Sequence, residues 1–136
     1  MAFKVLDSWA LIAYFEDEPA AEQVEQLLVK AESSAHKVLL SVVNWGEIYY
    51  NTMREVSHEA AEQIAKEMAG LTIEIVGVDE KNLELVRQAA IFKATRKFSY
   101  ADAFAAALAK IRNAELVTGD REFRQIEDEI KIAWLR

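Results

Sequence analysis

Short apolar runs alternate with longer stretches of helical periodicity from one end of the chain to the other. The pattern predicts strands over 3–6, 37–40, 72–78, 115–118 and 131–135. It predicts helices over 8–16, 19–33, 41–55, 57–69, 79–96 and 99–113, with a turn at Gly119 and a short helical stretch after it. Ser57 stands where a helix cap belongs, and the single proline, Pro19, stands where a helix can begin. Strands separated by helices cannot pair as tight hairpins. The order therefore predicts an α/β domain with a mainly parallel sheet covered on both faces. In such sheets ligands bind beyond the carboxyl ends of the strands, so polar residues at those ends are where function is sought.

The chain has 136 residues, the length of one ordinary domain spanning 1–136, and its 52% hydrophobic content excludes compositional disorder. It has no cysteine, which excludes disulfides, a thiol nucleophile and thiolate metal sites. No apolar run reaches the roughly 18 residues of a membrane span, and the first residues lack the pattern of a secretory signal. A cytoplasmic, non-membrane protein is expected. The net charge of −7 argues against a broad basic face for nucleic acid. A polyanionic partner would then need a local grip, helped by a bound cation.

Most of the 23 acidic residues, such as Glu22, Glu59 and Glu84, lie on the polar faces of amphipathic helices and read as solvated surface. Four do not. Asp7 and Ser8 interrupt an otherwise apolar stretch from Val5 to Phe15. Glu47 lies in a helix that is apolar almost all round and so is expected to be buried, on a narrow stripe formed by Ser41, Asn44, Glu47 and Asn51. Asp102 is the one polar side chain in an alanine-rich stretch, and Asp120 follows Leu116-Val117-Thr118-Gly119. A buried isolated carboxylate is costly, and buried charges are normally paired or bound to metal. No lysine or arginine stands beside these four at local spacing. Convergence on a hard cation such as Mg²⁺ or Mn²⁺, which prefers oxygen ligands, resolves the cost. Each acid also has a local alternative. Asp7 could cap the first helix, with Ser8 competing for the place. Asp102, three residues after Ser99, approaches a capping box, and Asp120 could serve a turn. Glu47 has no capping use, and its alternative is an ion pair with a distant arginine.

Taken in order, Asp7-Ser8 after a strand, the segment from Ser41 to Glu47, Ser99-Tyr100-Ala101-Asp102-Ala103 and Thr118-Gly119-Asp120-Arg121-Glu122-Phe123 resemble the PIN-domain ribonucleases. In size, the chain resembles the VapC-type toxins of toxin–antitoxin pairs. The resemblance covers essentially the whole chain. It implies a three-layer α/β/α, Rossmann-like fold with a central, mainly parallel sheet. It also implies an acidic quartet, here Asp7, Glu47, Asp102 and Asp120, that binds Mg²⁺ or Mn²⁺ and cleaves RNA. Ser8, Asn44 and Thr118 match the polar positions that accompany the acids. Trp9 departs from the family, which more often has a small or polar residue there; an indole at this place could narrow the cleft, stack on a base or join the core. The resemblance further implies a VapB-like antitoxin partner and a homodimer, with helices of the N-terminal half lining the antitoxin groove.

The implied reaction is hydrolysis of an RNA phosphodiester, with Asp7 and Asp102 as the first expected ligands, and with Asp120 and Glu47 binding directly or through water. Lys93, Arg96 and Lys97 before the Asp102 helix, and Arg121 and Arg124 after Asp120, are candidates for phosphate contacts. They could equally be solvated surface or favour a helix dipole. His36 and His58 read as surface residues without a catalytic part. Three other readings compete. A non-catalytic RNA-binding PIN-like module would lack some of the acids. A phosphoacceptor receiver domain would need an acidic pair at its first acidic site, and Asp7 has no acidic neighbour. A housekeeping RNA-processing nuclease would share the chemistry and lack the antitoxin.

Overall fold

The computed structural model describes residues 2–33 and 35–136. Five strands, β1 (Ala2–Leu6), β2 (His36–Ser41), β3 (Glu74–Val76), β4 (Glu115–Thr118) and β5 (Ile132–Trp134), form one sheet in the order β3-β2-β1-β4-β5. All four pairings are parallel. Central strand β1 aligns Val5 with Leu39 on one side and with Leu116 on the other. Side chains alternate across the sheet. Val5, Leu39 and Leu116 enter one core, while Leu6, Leu40 and Val117 enter the other.

The first core is covered by α5 (Leu83–Thr95) and α6 (Tyr100–Ile111), whose alanines from Ala103 to Ala109 let that helix lie close against the strands. The second is covered by α1 (Ser8–Phe15), α2 (Ala21–Glu32), α3 (Val42–Glu55) and α4 (His58–Ala69), through Ala10, Leu11, Val24, Leu28, Ile48 and Met68. The result is the expected three-layer arrangement, with the sheet wholly rather than mainly parallel. Among the described residues no helix is long and apolar enough to cross a membrane.

Several boundaries differ from expectation. The strand expected over 72–78 is three residues long, and lies at the sheet edge. The helix expected over 79–96 begins as a 3₁₀ turn, Glu80–Asn82, because Asp79 and Asn82 cap each other across it. Helix α2 starts two residues after Pro19 and has no side-chain cap. Helix α3 is not buried all round: only Asn44 and Ile48 are buried, while Val42, Tyr50 and Met53 face outward. The short edge strand leaves this helix less sheet to cover. His36 is buried rather than on the surface; its Nε2 lies 3.0 Å from the Leu27 carbonyl oxygen. His58 is exposed, as expected.

The strand order fixes where a site can form. From β1 the chain steps outward to β2 and β3, then returns to β4 beside β1 and steps the other way to β5. The reversal opens a crevice beyond the carboxyl ends of β1 and β4. Asp7 follows the last residue of β1, and Asp120 lies two residues after the last of β4.

Candidate metal centre

Asp7 is 1% exposed and is the N-cap of α1. One carboxylate oxygen accepts the Ala10 N–H at 2.9 Å, and the other accepts the Thr118 hydroxyl at 2.5 Å. The capping alternative is therefore true of this residue, whose second oxygen also ties it to the end of β4. The same Thr118 oxygen accepts the Asp120 N–H at 2.9 Å. One hydroxyl thus joins the first acid to the backbone of the last across a separation of more than 100 residues. The Asp120 carboxylate in turn accepts the Glu122 N–H at 3.0 Å and caps the 3₁₀ turn Arg121–Ile126.

Asp102 enters from the other side, in the first turn of α6. Ser99 caps that helix by accepting the Asp102 N–H at 3.1 Å. Asn44 ties the remaining elements together. Its amide nitrogen donates to Ser8 Oγ at 3.0 Å and to the Ala101 carbonyl at 3.2 Å. The Ser8 hydroxyl approaches the Asn44 carbonyl oxygen at 3.4 Å. The neighbours of Asp7 and Asp102 are thereby fixed to α3, one turn before Glu47. Glu47 itself is half-buried and makes no side-chain hydrogen bond or ion pair among the described residues.

The electrostatics record the convergence. Burial pushes the Asp7 carboxyl from 3.8 up to about 7; the charges of Asp102 and Asp120 add to this, while the bonds from Thr118 and Ala10 oppose it. Burial likewise pushes Asp102 up to about 6, reinforced by Asp120 and then Glu47. Asp7, Asp102 and Asp120 are therefore within electrostatic reach of one another, and Glu47 is within reach of Asp102. No ion pair neutralises any of them among the described residues.

Asp102, Asp120 and Glu122 form the one group of described side chains whose carboxylate oxygens lie mutually within 4.8 Å, as a shared cation requires. Asp7 and Glu47 fall outside that triad. Both Asp7 oxygens are already occupied by Thr118 and Ala10. Sequence reasoning missed Glu122. Its only signal was a second acid two residues after Asp120, which a 3₁₀ turn brings back to the same place. The donor set fits a hard cation: it is all oxygen, no base pairs with it among the described residues, and the neighbouring carboxylates add to the burial that raises Asp102. The buried Asn44 Oδ1 also has no partner, an orphan acceptor of the kind an ordered water satisfies.

The basic candidates divide. Lys93 donates to the Phe98 carbonyl at 2.9 Å, and Arg96 pairs with Glu129 at 2.7 Å, so both are held within the fold. Lys97 and Arg121 are exposed, and their side chains make no hydrogen bond or ion pair among the described residues. Trp9 is half-buried, with its indole against Gly119 in the turn between Thr118 and Asp120.

A family model described as PIN domain matches residues 4–129. Comparison with curated protein sequences gives no match. Among solved structures, one similar fold is VapBC2 from Rickettsia felis bound to a DNA fragment from its promoter (TM-score 0.73, 16% identity, 98% of this chain and 99% of that one). Another is VapBC-1 from nontypeable Haemophilus influenzae (TM-score 0.69, 21% identity, 97% of each chain). A third is VapC20 from Mycobacterium tuberculosis, described as a toxin that cleaves the sarcin–ricin loop (TM-score 0.63, 19% identity, 90% of this chain and 93% of that one).

Proposed function

The chain belongs to the PIN domain family, and on that premise we propose that it is a divalent-metal-dependent ribonuclease, the toxin of a VapBC-type pair. The observation that carries the reading is the charge at the β1/β4 crevice. Burial and neighbouring carboxylates raise the Asp7 and Asp102 carboxyls, the oxygens of Asp102, Asp120 and Glu122 gather within 4.8 Å of one another, and no base pairs with these acids among the described residues. Structural ion-pair networks place bases beside such acids; a site awaiting a cation does not.

Asp102, Asp120 and Glu122 are the residues to hold Mg²⁺ or Mn²⁺, with Glu47 beside Asp102. A bound cation would supply Lewis-acid stabilisation of the phosphate and a more acidic water. The chain's own work is positioning. Asp7 and Thr118 fix the turn carrying Asp120, Asn44 fixes the start of α6 relative to Ser8, and Ser99 fixes Asp102. The free Asn44 Oδ1 is suited to orient a water. Lys97 and Arg121 are suited to phosphate contacts that guide RNA without reading its sequence.

The antitoxin is proposed from likeness to neighbours solved as VapBC pairs, and the homodimer from the family resemblance alone. An apolar groove of about 530 Å³ between α1, α3 and α4 supports the antitoxin, since Ile12, Phe15, Ile48 and Ile64 would receive the apolar face of a partner segment. A soluble, cytoplasmic protein occupying one domain over 1–136 is proposed with it. The test is cleavage of a panel of structured and single-stranded RNAs with Mg²⁺, with Mn²⁺ and with EDTA. The expected result is metal-dependent cleavage that falls on the order of 100-fold or more in Asp7→Asn. Cleavage that persists unchanged in EDTA or in Asp7→Asn refutes the proposal.

A further inference from the structure

We infer that Trp9 is a positioning residue for the acidic centre: its indole, seated on Gly119, clamps the turn that carries Asp120. The inference rests on the metal reading above and extends it to a residue outside the acids and their hydrogen bonds.

The observation is steric. A Cβ added at Gly119 would lie 2.3 Å from Trp9 Cη2, 2.5 Å from Cζ3 and 2.7 Å from Cζ2. All three distances are far inside van der Waals contact. An approach in the ring plane would leave Cζ2 and Cζ3 well behind Cη2, so the glycine lies against the face of the six-membered ring. Conformation does not explain the glycine, because no glycine among the described residues has a positive φ. Space does. Of the other glycines, Gly46 and Gly77 have nothing within 4 Å of an added Cβ, and Gly70 meets only backbone carbonyls, at 3.6 and 3.9 Å. Gly119 is thus the one described glycine whose missing side chain is filled by another residue.

The position of this contact gives it consequence. Trp9 lies two residues after Asp7, in the first turn of α1, on a rigid element. Gly119 lies between Thr118, which bonds Asp7, and Asp120, which belongs to the acidic triad. The turn therefore has two attachments to the start of α1, a polar one through Thr118 and an apolar one through Gly119. The bonds of Asp120 itself are local: its backbone N–H donates to Thr118 Oγ1, and its carboxylate accepts the Glu122 N–H. They hold its shape without fixing where the turn sits. A hydroxyl bond alone is a single pivot; the indole is the second point of support. Where Asp120 stands relative to Asp102 and Glu122 then depends on the fit of indole to glycine.

The test is Mn²⁺ affinity by calorimetry on the full chain, with circular dichroism confirming the fold, for wild type, Gly119→Ala, Trp9→Ala, Trp9→Phe and the Trp9→Phe/Gly119→Ala pair. Gly119→Ala is expected to weaken Mn²⁺ binding about tenfold or more, the scale set by groups that orient metal ligands. Phe is too short to reach the added methyl, so the pair is expected to return to within about threefold of Trp9→Phe, a coupling that independent sites do not show. Trp9→Ala, which adds no atoms and carries the test if Gly119→Ala does not fold, is expected to weaken binding about fivefold with its circular dichroism unchanged. Wild-type affinity in Gly119→Ala or Trp9→Ala, or a pair as weak as Gly119→Ala alone, overturns the inference while the metal reading stands. A folded wild type that takes up no Mn²⁺ overturns the metal reading, and this inference with it.

Discussion

Replacing Asp7 with asparagine should stabilise the metal-free protein at pH 8 and leave it nearly unchanged at pH 5. The side chains are close to isosteric, so the change removes charge rather than volume. In the fold the carboxyl titrates at about 7 instead of 3.8, mainly because it is buried. The folded state therefore holds the proton more tightly than the unfolded chain. Stability is highest below the unfolded value and falls as pH rises through the window between the two. At about 1.4 kcal/mol for each tenfold change in proton affinity, ionised Asp7 costs the metal-free fold roughly 4 kcal/mol above pH 7. Asparagine escapes that cost. It forfeits roughly 1–2 kcal/mol, because an amide nitrogen must face the Thr118 oxygen where a carboxylate accepted its hydroxyl. The net gain at pH 8 is about 2–3 kcal/mol. At pH 5 native Asp7 is protonated while the unfolded carboxyl is mostly ionised, so the raised pKa still costs about 1.6 kcal/mol, and escaping it offsets the hydrogen-bond loss. Urea denaturation in EDTA at both pH values measures the difference. An Asp7→Asn variant destabilised equally at pH 5 and pH 8 would refute the claim that desolvated charge dominates this site.

Other outcomes follow from the same geometry. Thr118→Val removes the donor that opposes the rise at Asp7, so Mn²⁺ uptake should need higher pH, and stability should fall by about 1–3 kcal/mol in a urea titration. Asp120→Asn should weaken Mn²⁺ binding in calorimetry more than Asp7→Asn does, since Asp120 belongs to the compact triad and Asp7 does not. Lys97→Glu and Arg121→Glu should each raise KM for RNA several-fold and flatten its salt dependence, with melting temperature unchanged. Charge reversal at Arg96 should instead lower the melting temperature, because Arg96 pairs with Glu129.

The layers and the acids were legible in the sequence for one reason: both are set by apolar context. Five apolar runs separated by helices leave little choice but a parallel sheet, and Asp7, Asp102 and Asp120 stand out because their neighbours are apolar. What the sequence concealed depends on long-range placement. Glu122 looks like any exposed acid until the 3₁₀ turn after Asp120 returns it to Asp102. Helix α3 reads as buried all round because its composition says nothing of how little sheet the three-residue β3 leaves beneath it. His36 reads as surface because its partner, the Leu27 carbonyl, belongs to the preceding helix. The Trp9–Gly119 contact joins residues 110 positions apart, and nothing local to either announces the other.

The acids divide by how their oxygens are occupied. Asp7 is sealed, with both oxygens bonded, and can take a new partner only by giving up Thr118 or Ala10. Asp102 and Asp120 are half-exposed and Glu122 is exposed, with oxygens gathered together, and one Asp120 oxygen already accepts the Glu122 N–H. A cation entering this crevice would meet these three carboxylates first, and its charge would offset the burial and the neighbouring carboxylates that raise Asp102 and Asp7. The sealed acid then acts through the turn it holds, by way of one hydroxyl shared with the Asp120 backbone. On the proposed function, a bound cation would also reduce the negative charge of this acidic hollow and ease the approach of a polyanionic substrate to a chain of net charge −7.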